Sequence, residues 1–169
     1  MKKLLVILIS LFSLNSYAQK FAFIDSEYIL NNIPTYKAAQ DELDKYSQQW
    51  QKEVEAKYAE IDEMYKKYQA EKVLLTEDMK SKREEEIVVK EKAVKDLQKK
   101  YFGKDGDLFK KRESLVKPIQ DEIYTAVKDI AADGGFAIVF DTSNGANIMF
   151  SDPKYDKSDQ VLQKLGYKK

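Results

Sequence analysis

Apolar residues in the first half of the chain recur at helical spacing. They fall at Tyr36, Ala39, Leu43, Tyr46, Trp50, Val54, Tyr58, Ile61, Tyr65 and Tyr68, a mean step of about 3.56 residues, which is the period of a coiled-coil stripe with one 11-residue element inside it. No glycine or proline interrupts residues 35–74, so the pattern predicts one helix of about 60 Å at 1.5 Å per residue. A turn is expected at Leu74-Leu75-Thr76-Glu77-Asp78, where Thr76 can cap a second helix and two acidic residues suit the positive end of its dipole. Apolar positions resume at Ile87, Val94, Leu97, Tyr101, Leu108, Leu115, Ile119, Ile123, Val127 and Ile130, and stop at Gly134-Gly135. The middle of the chain therefore reads as a long antiparallel helical hairpin. Its return arm is disturbed by Gly103-Lys104-Asp105-Gly106 and by Pro118, which removes a backbone donor.

The pattern changes to β-branched and aromatic runs at the two ends of this excursion. Residues 136–140 and 147–150 flank Asn144-Gly145, a dipeptide suited to positive φ, and predict a β-hairpin. Phe21-Ala22-Phe23-Ile24-Asp25 is the remaining strand signal and supplies a third strand. A closing helix follows, with Ser158 as its expected N-cap, Val161, Leu162 and Leu165 on one face, and Gly166 at its end. Three strands with apolar residues on both faces make too small a core for so long an excursion. Pooling the strands of about three copies would pair the edges and bury the second face.

The ends and the composition narrow the function. Residues 1–18 carry Lys2 and Lys3, an apolar run over 4–14 and Ser16-Tyr17-Ala18, the organisation of a secretory signal peptide with cleavage expected after Ala18. Loss of that leader takes the 29 basic residues to 27 against 29 acidic ones, and such a balance does not suggest a nucleic-acid partner. The chain has no cysteine and no histidine, which removes disulfides, a thiol for a lipid anchor and the commonest general base and metal ligand. Neither enzymatic activity nor a cofactor is expected.

The order of a signal peptide, Phe23-Ile24-Asp25, a charged excursion with Leu75-Thr76-Glu77-Asp78 at its turn, Pro118-Ile119, Gly134-Gly135-Phe136, Val139-Phe140-Asp141 and Asp156-Lys157-Ser158 before Val161-Leu162 resembles the OmpH-like periplasmic chaperone family (Skp). The resemblance covers essentially the whole chain after the leader. It implies an α+β, mostly α fold in which a coiled-coil tentacle, 46–109, projects from a small β body, 19–45 with 110–169, and the body forms a barrel by trimerisation. It further implies a soluble periplasmic holdase that encloses unfolded outer-membrane proteins without ATP. Members of that family are often strongly basic. Here residues 46–109 carry 14 basic against 15 acidic side chains, so charge steering of clients should be weaker.

Individual residues divide between ordinary and functional roles. The stripe Trp50, Tyr58, Tyr65 and Tyr68 can grip clients, but its spacing is what a helix seam requires, and the seam is the favoured reading. Met64, Leu74, Leu75, Met79, Val88 and Val89, at the turn or off the stripe, are the candidates for client binding. Phe21, Phe23, Ile138, Phe140, Ile148 and Phe150 are expected in the body core and trimer interface. Gly103, Gly106 and Pro118 are candidate hinge positions. The charged runs 80–86 and 90–95 read first as solvated helix faces and second as lipid or lipopolysaccharide contacts. The rival function is a structural coiled-coil envelope scaffold or tether that binds a folded partner.

Overall fold

A computed structural model describes residues 20–143 and 148–167. The expected signal peptide and its cleavage point, Asn144, Gly145 and Asn147 lie outside the described residues. The chain divides into two compact units, one of Met1–Ile33 with Glu122–Lys169 and the other Pro34–Asp121.

The second unit is the helical pair. Helix α2 spans Pro34–Glu71, after a short α1 at Ser26–Asn31 in the other unit, and a single 3-10 turn, Lys72–Leu74, leads to α3 at Glu77–Phe102. Proline at the first position of α2 has no N–H to leave unpaired. Thr76 caps α3 as expected, its hydroxyl accepting from Met79 N, with Glu77 and Asp78 in the first turn. Val54, Ile61 and Tyr68 from α2 meet Ile87, Val94 and Tyr101 from α3 in one buried cluster. On both arms the buried residues are seven apart, so each heptad contributes one fully buried layer. Of the stripe predicted from periodicity, Val54, Ile61 and Tyr68 lie in this seam with Trp50 packed against it, whereas Tyr58 and Tyr65 are exposed beside it. The return arm does break at residues 103–106, and helix α4 starts anew at Asp107, running to Gly134 with Pro118 inside it.

A Cβ at Gly103 would stand 2.3 Å from Lys99 O, and one at Gly106 would stand 2.8 Å from both Lys100 O and Tyr101 O. Close backbone approach thus accounts for both glycines. Three backbone bonds close the break, Gly103 N to Lys99 O, Gly106 N to Gly103 O and Lys110 N to Gly106 O.

The other unit holds strands β1, Lys20–Ile24, and β2, Phe136–Asp141, together with α1, the end of α4, and α5 at Ser158–Lys164. Gly135, at φ +64°, ends α4 in the left-handed region and turns the chain directly into β2. The two strands pair in parallel, with Phe21 opposite Ile138, Ala22 opposite Val139 and Phe23 opposite Phe140. Ala22 and Ile24 point into a buried core with Ile29, Ile33, Val161 and Leu162. The closing helix packs against α1, with Val161 and Leu162 buried.

Two expectations are corrected. The hairpin partner of β2 does not form: Ile148, Met149 and Phe150 belong to no strand, and Met149 and Phe150 are 101 % and 84 % exposed. After β2 the chain is turned back onto the end of β1, because Thr142 N and Oγ1 both donate to Ile24 O and Ser143 N donates to Asp141 Oδ1. Ser158 is the first helical residue rather than the cap. Its hydroxyl accepts from Asp25 N at 2.8 Å and donates to Asp156 Oδ1 at 2.6 Å, which ties α5 to the end of β1.

Ile61→Ala should destabilise the helical pair by about 2–5 kcal/mol, the cost of emptying a buried aliphatic layer. Val88→Ala, on the exposed side of α3, should change stability by less than about 0.5 kcal/mol. Urea unfolding followed by the fluorescence of Trp50 measures both, and equal small effects would show that the seam layer is not packed.

Candidate functional site

Around the thin apolar seam lies a set of aromatic side chains whose polar tips cross between the two arms. Tyr58 and Tyr65 leave their rings partly exposed and donate to Gln98 and Glu91 on α3. Tyr68 donates to Glu84, and in the reverse direction Tyr101 donates to Glu53 at 2.9 Å. Trp50 stacks on Tyr101, with ring centroids 4.8 Å apart and planes within 6°. Each buried layer is therefore flanked by a directional bond that a purely aliphatic seam lacks, which fixes axial register as well as pairing. The bonds to carboxylates favour the protonated phenols of Tyr65, Tyr68 and Tyr101. Glu84, through its hydrogen bond, pushes the Tyr68 hydroxyl up to about 12, and Glu91 and Glu53 raise Tyr65 and Tyr101 in the same way.

The structure separates the six residues expected to meet clients. Leu74 is 85 % exposed on the turn, and Met79, Val88 and Val89 are exposed along α3. Met64 and Leu75 are half-buried and pack against the seam core instead of standing clear of it. Val73, 91 % exposed beside Leu74, was not singled out from the sequence. Its signal was present in the run Val73-Leu74-Leu75, but a turn placed at Leu74 hid it inside the helix before. Met64 and Val89 line one shallow groove together with Lys82, Glu85, Glu86 and Lys90. Gly103 and Gly106 make the helix break, and Pro118 lies within α4.

In the sheet unit, the register puts Phe21, Phe23, Ile138 and Phe140 on one face, opposite to the face that the helices cover. Phe21, Ile138 and Phe140 are each nearly half exposed, and the Phe21 and Phe140 rings lie 6.3 Å apart. The bare face continues into an apolar hollow of about 530 Å³ lined by Phe23, Phe136 and Tyr155 as well. Ile148 and Phe150, expected in the same core, are exposed outside any strand. The edge of β1 away from β2 is taken by Asp156, which bridges to Phe23, whereas β2 has no second partner among the described residues.

At the far end of the strands, Asp141 accepts from Ser26 N, Ser26 Oγ at 2.6 Å and Ser143 N. Burial would push its carboxyl up, but the hydrogen bonds from Ser26 and Ser143 outweigh burial and hold it below the usual carboxylate range. This cluster fixes the strand ends. Among the described residues no group of three or more acidic side chains is placed to hold a metal ion, and no helix is long and apolar enough to cross a membrane.

A small parallel sheet with a closing helix, interrupted by a long antiparallel helical pair, defines the class to which this chain is compared. The family described as outer membrane protein (OmpH-like) matches residues 20–165. The chain belongs to that family. Its fold is also that of a solved structure described as a candidate outer membrane chaperone (OmpH-like) from Caulobacter crescentus, with a TM-score of 0.69 and 15% identity over 89% of this chain and 86% of that one. Comparison with curated proteins gives no match.

The tyrosine bonds carry a pH prediction. A phenol raised in the folded state contributes stability that is complete below its unfolded value, near 10, and is lost as pH rises through the folded value. For Tyr68 that window runs from about 10 to about 12. Helical content should therefore fall across this window, and Tyr68→Phe should flatten part of the loss. An alkaline titration followed by circular dichroism checks this, and identical profiles for the two proteins would refute it.

Proposed function

We propose that this chain is an ATP-independent periplasmic holdase, which binds unfolded outer-membrane proteins and shields them from aggregation until they are inserted. The observation that carries this reading is the division of its exposed apolar surface. One patch, Phe21, Ile138 and Phe140, is compact and aromatic and lies beside an open strand edge. The other, Leu74, Met79, Val88 and Val89, is scattered among charges along the helical pair. A compact patch with an open edge fits self-association, and a dispersed one fits many weak contacts with a chain of no fixed structure.

In this proposal three copies join through their sheet units. Phe21, Phe23, Ile138 and Phe140 meet in a shared core, and Ile148, Met149 and Phe150 of one copy pair with the open edge of β2 in the next. The body, 19–45 with 110–169, carries the arms, 46–109, which stand around the space that holds the client. Export by the leader, with cleavage after Ala18, places the assembly in the periplasm. The near balance of basic and acidic residues on the arms makes apolar contact, rather than charge attraction, the main source of client affinity. Lipid or lipopolysaccharide contact by the charged runs is secondary to this.

The exposed pair Val73 and Leu74 at the turn favours a second reading, a tether that grips one folded partner there. The two readings differ in how binding is lost. Contacts spread over many weak sites decline in steps as residues are changed, whereas a folded-partner interface collapses when one hot spot is removed.

Phe140→Asp should convert the assembled protein to monomer, as judged by its mass in solution, because it puts a charge into the shared apolar core. A wild-type chain that is monomeric at micromolar concentration would refute the assembly. Dilution of a urea-unfolded β-barrel protein into the assembled chain should give suppressed light scattering and a soluble complex of one client per three chains. Changing Leu74, Met79, Val88 and Val89 together to Ser should weaken this protection while the trimer persists. Full protection by that variant would overturn the assignment of the arms as the client surface.

A further inference from the structure

The helix break opens a cleft that neither the arm pairing nor the client reading uses. Its apolar lining comes from Leu43 on α2, Phe102 at the end of α3 and Leu108 in the first turn of α4, and it encloses about 320 Å³. Asp44 stands on the α2 side, and Lys104 and Arg112 stand on the other. All six residues belong to one unit. No ion pair within 4.0 Å joins Asp44 to either cation, and none of the three charged groups has another ion-pair or hydrogen-bond partner among the described residues. The break borders this space, and only glycine fits at 103 and 106 because a Cβ would meet backbone oxygens there.

We propose that this cleft binds a small zwitterion with an apolar body, an apolar α-amino acid or dipeptide with free ends. Its ammonium lies against Asp44, its carboxylate against Arg112 and Lys104, and its side chains against Leu43, Phe102 and Leu108. The selection follows from the charges. An apolar molecule leaves all three unpaired, an anion meets Asp44, and a cation meets Arg112 and Lys104. A zwitterion satisfies both walls at once, and the planar guanidinium suits a carboxylate in two-point contact. The site is independent of the holdase reading, and its failure leaves that reading untouched.

The test uses the assembled chain without its leader and three probes: dileucine, its N-acetylated form and its C-amidated form. Binding is followed by calorimetry and by the emission of Trp50, the one tryptophan in the chain, which stacks on Tyr101 next to Phe102. Dileucine should bind saturably, and blocking either end should weaken it about tenfold or more, the loss of one charge-assisted hydrogen bond. Asp44→Asn should weaken dileucine without further weakening the N-acetylated form, and Arg112→Gln should do the same with respect to the amidated form. Both substitutions are at exposed positions, so circular dichroism should be unchanged. No saturable heat or emission change with dileucine overturns the proposal, as does equal affinity for all three probes.

Discussion

Parallel pairing of β1 with β2 is the constraint on which the rest of the chain depends. Antiparallel neighbours can be joined by two residues, but parallel neighbours require a crossover that leaves one end of the sheet and returns to the other. Here the crossover is the whole helical excursion. It must go out and come back, so it needs two arms, and two arms of this length need a seam along which to hold each other. The bonds at the strand ends show how firmly the closure is made: Thr142 donates twice to Ile24 O, Ser26 and Ser143 converge on Asp141, and Ser158 joins Asp25 to Asp156.

The seam meets that demand with few apolar residues. One buried side chain per heptad on each arm is less than a full coiled-coil core, where two positions in seven are apolar. The tyrosines make up part of the difference. Tyr68 and Tyr101 belong to the buried cluster and their hydroxyls reach the opposite helix, so one residue type contributes both burial and direction. The same economy leaves Met79, Val88 and Val89 outside the seam, on the surface of a helix that does not need them for its own packing.

What the sequence discloses and what it conceals follow from the range of each interaction. The helical pair, its cap at Thr76, its break at residues 103–106 and its end at Gly134 were legible because spacing, capping and glycine act within a few residues. The strand signals at residues 21–25 and 136–140 were legible for the same reason. Their pairing was not: a strand signal says that a segment suits a sheet, and it is silent about the partner. The Asn144-Gly145 dipeptide suggested a local partner for β2, while the bonds that turn the chain back at Thr142 and Ser143 come from Ile24 and Asp141 in the folded unit. Met64 and Leu75 were misplaced because their exposure is decided by the facing arm. The cleft between Asp44 and Arg112 was invisible, since its two walls are far apart in sequence and nothing local shows that they meet.

The bare aromatic face of the sheet and the missing strand partner are two parts of one physical problem. A two-stranded sheet is marginal in water by itself, and here it is covered on one side only. Phe21, Ile138 and Phe140 stay in contact with solvent, and the backbone groups on the free edge of β2 have no sheet partner among the described residues. Burying the face without pairing the edge leaves polar groups beside an apolar core, and pairing the edge without burying the face leaves the aromatic rings wet. A second copy brings both remedies together, because the residues that can pair with the edge, Ile148, Met149 and Phe150, are themselves apolar and exposed. The proposed self-association would therefore address both deficits with surface that each copy already presents.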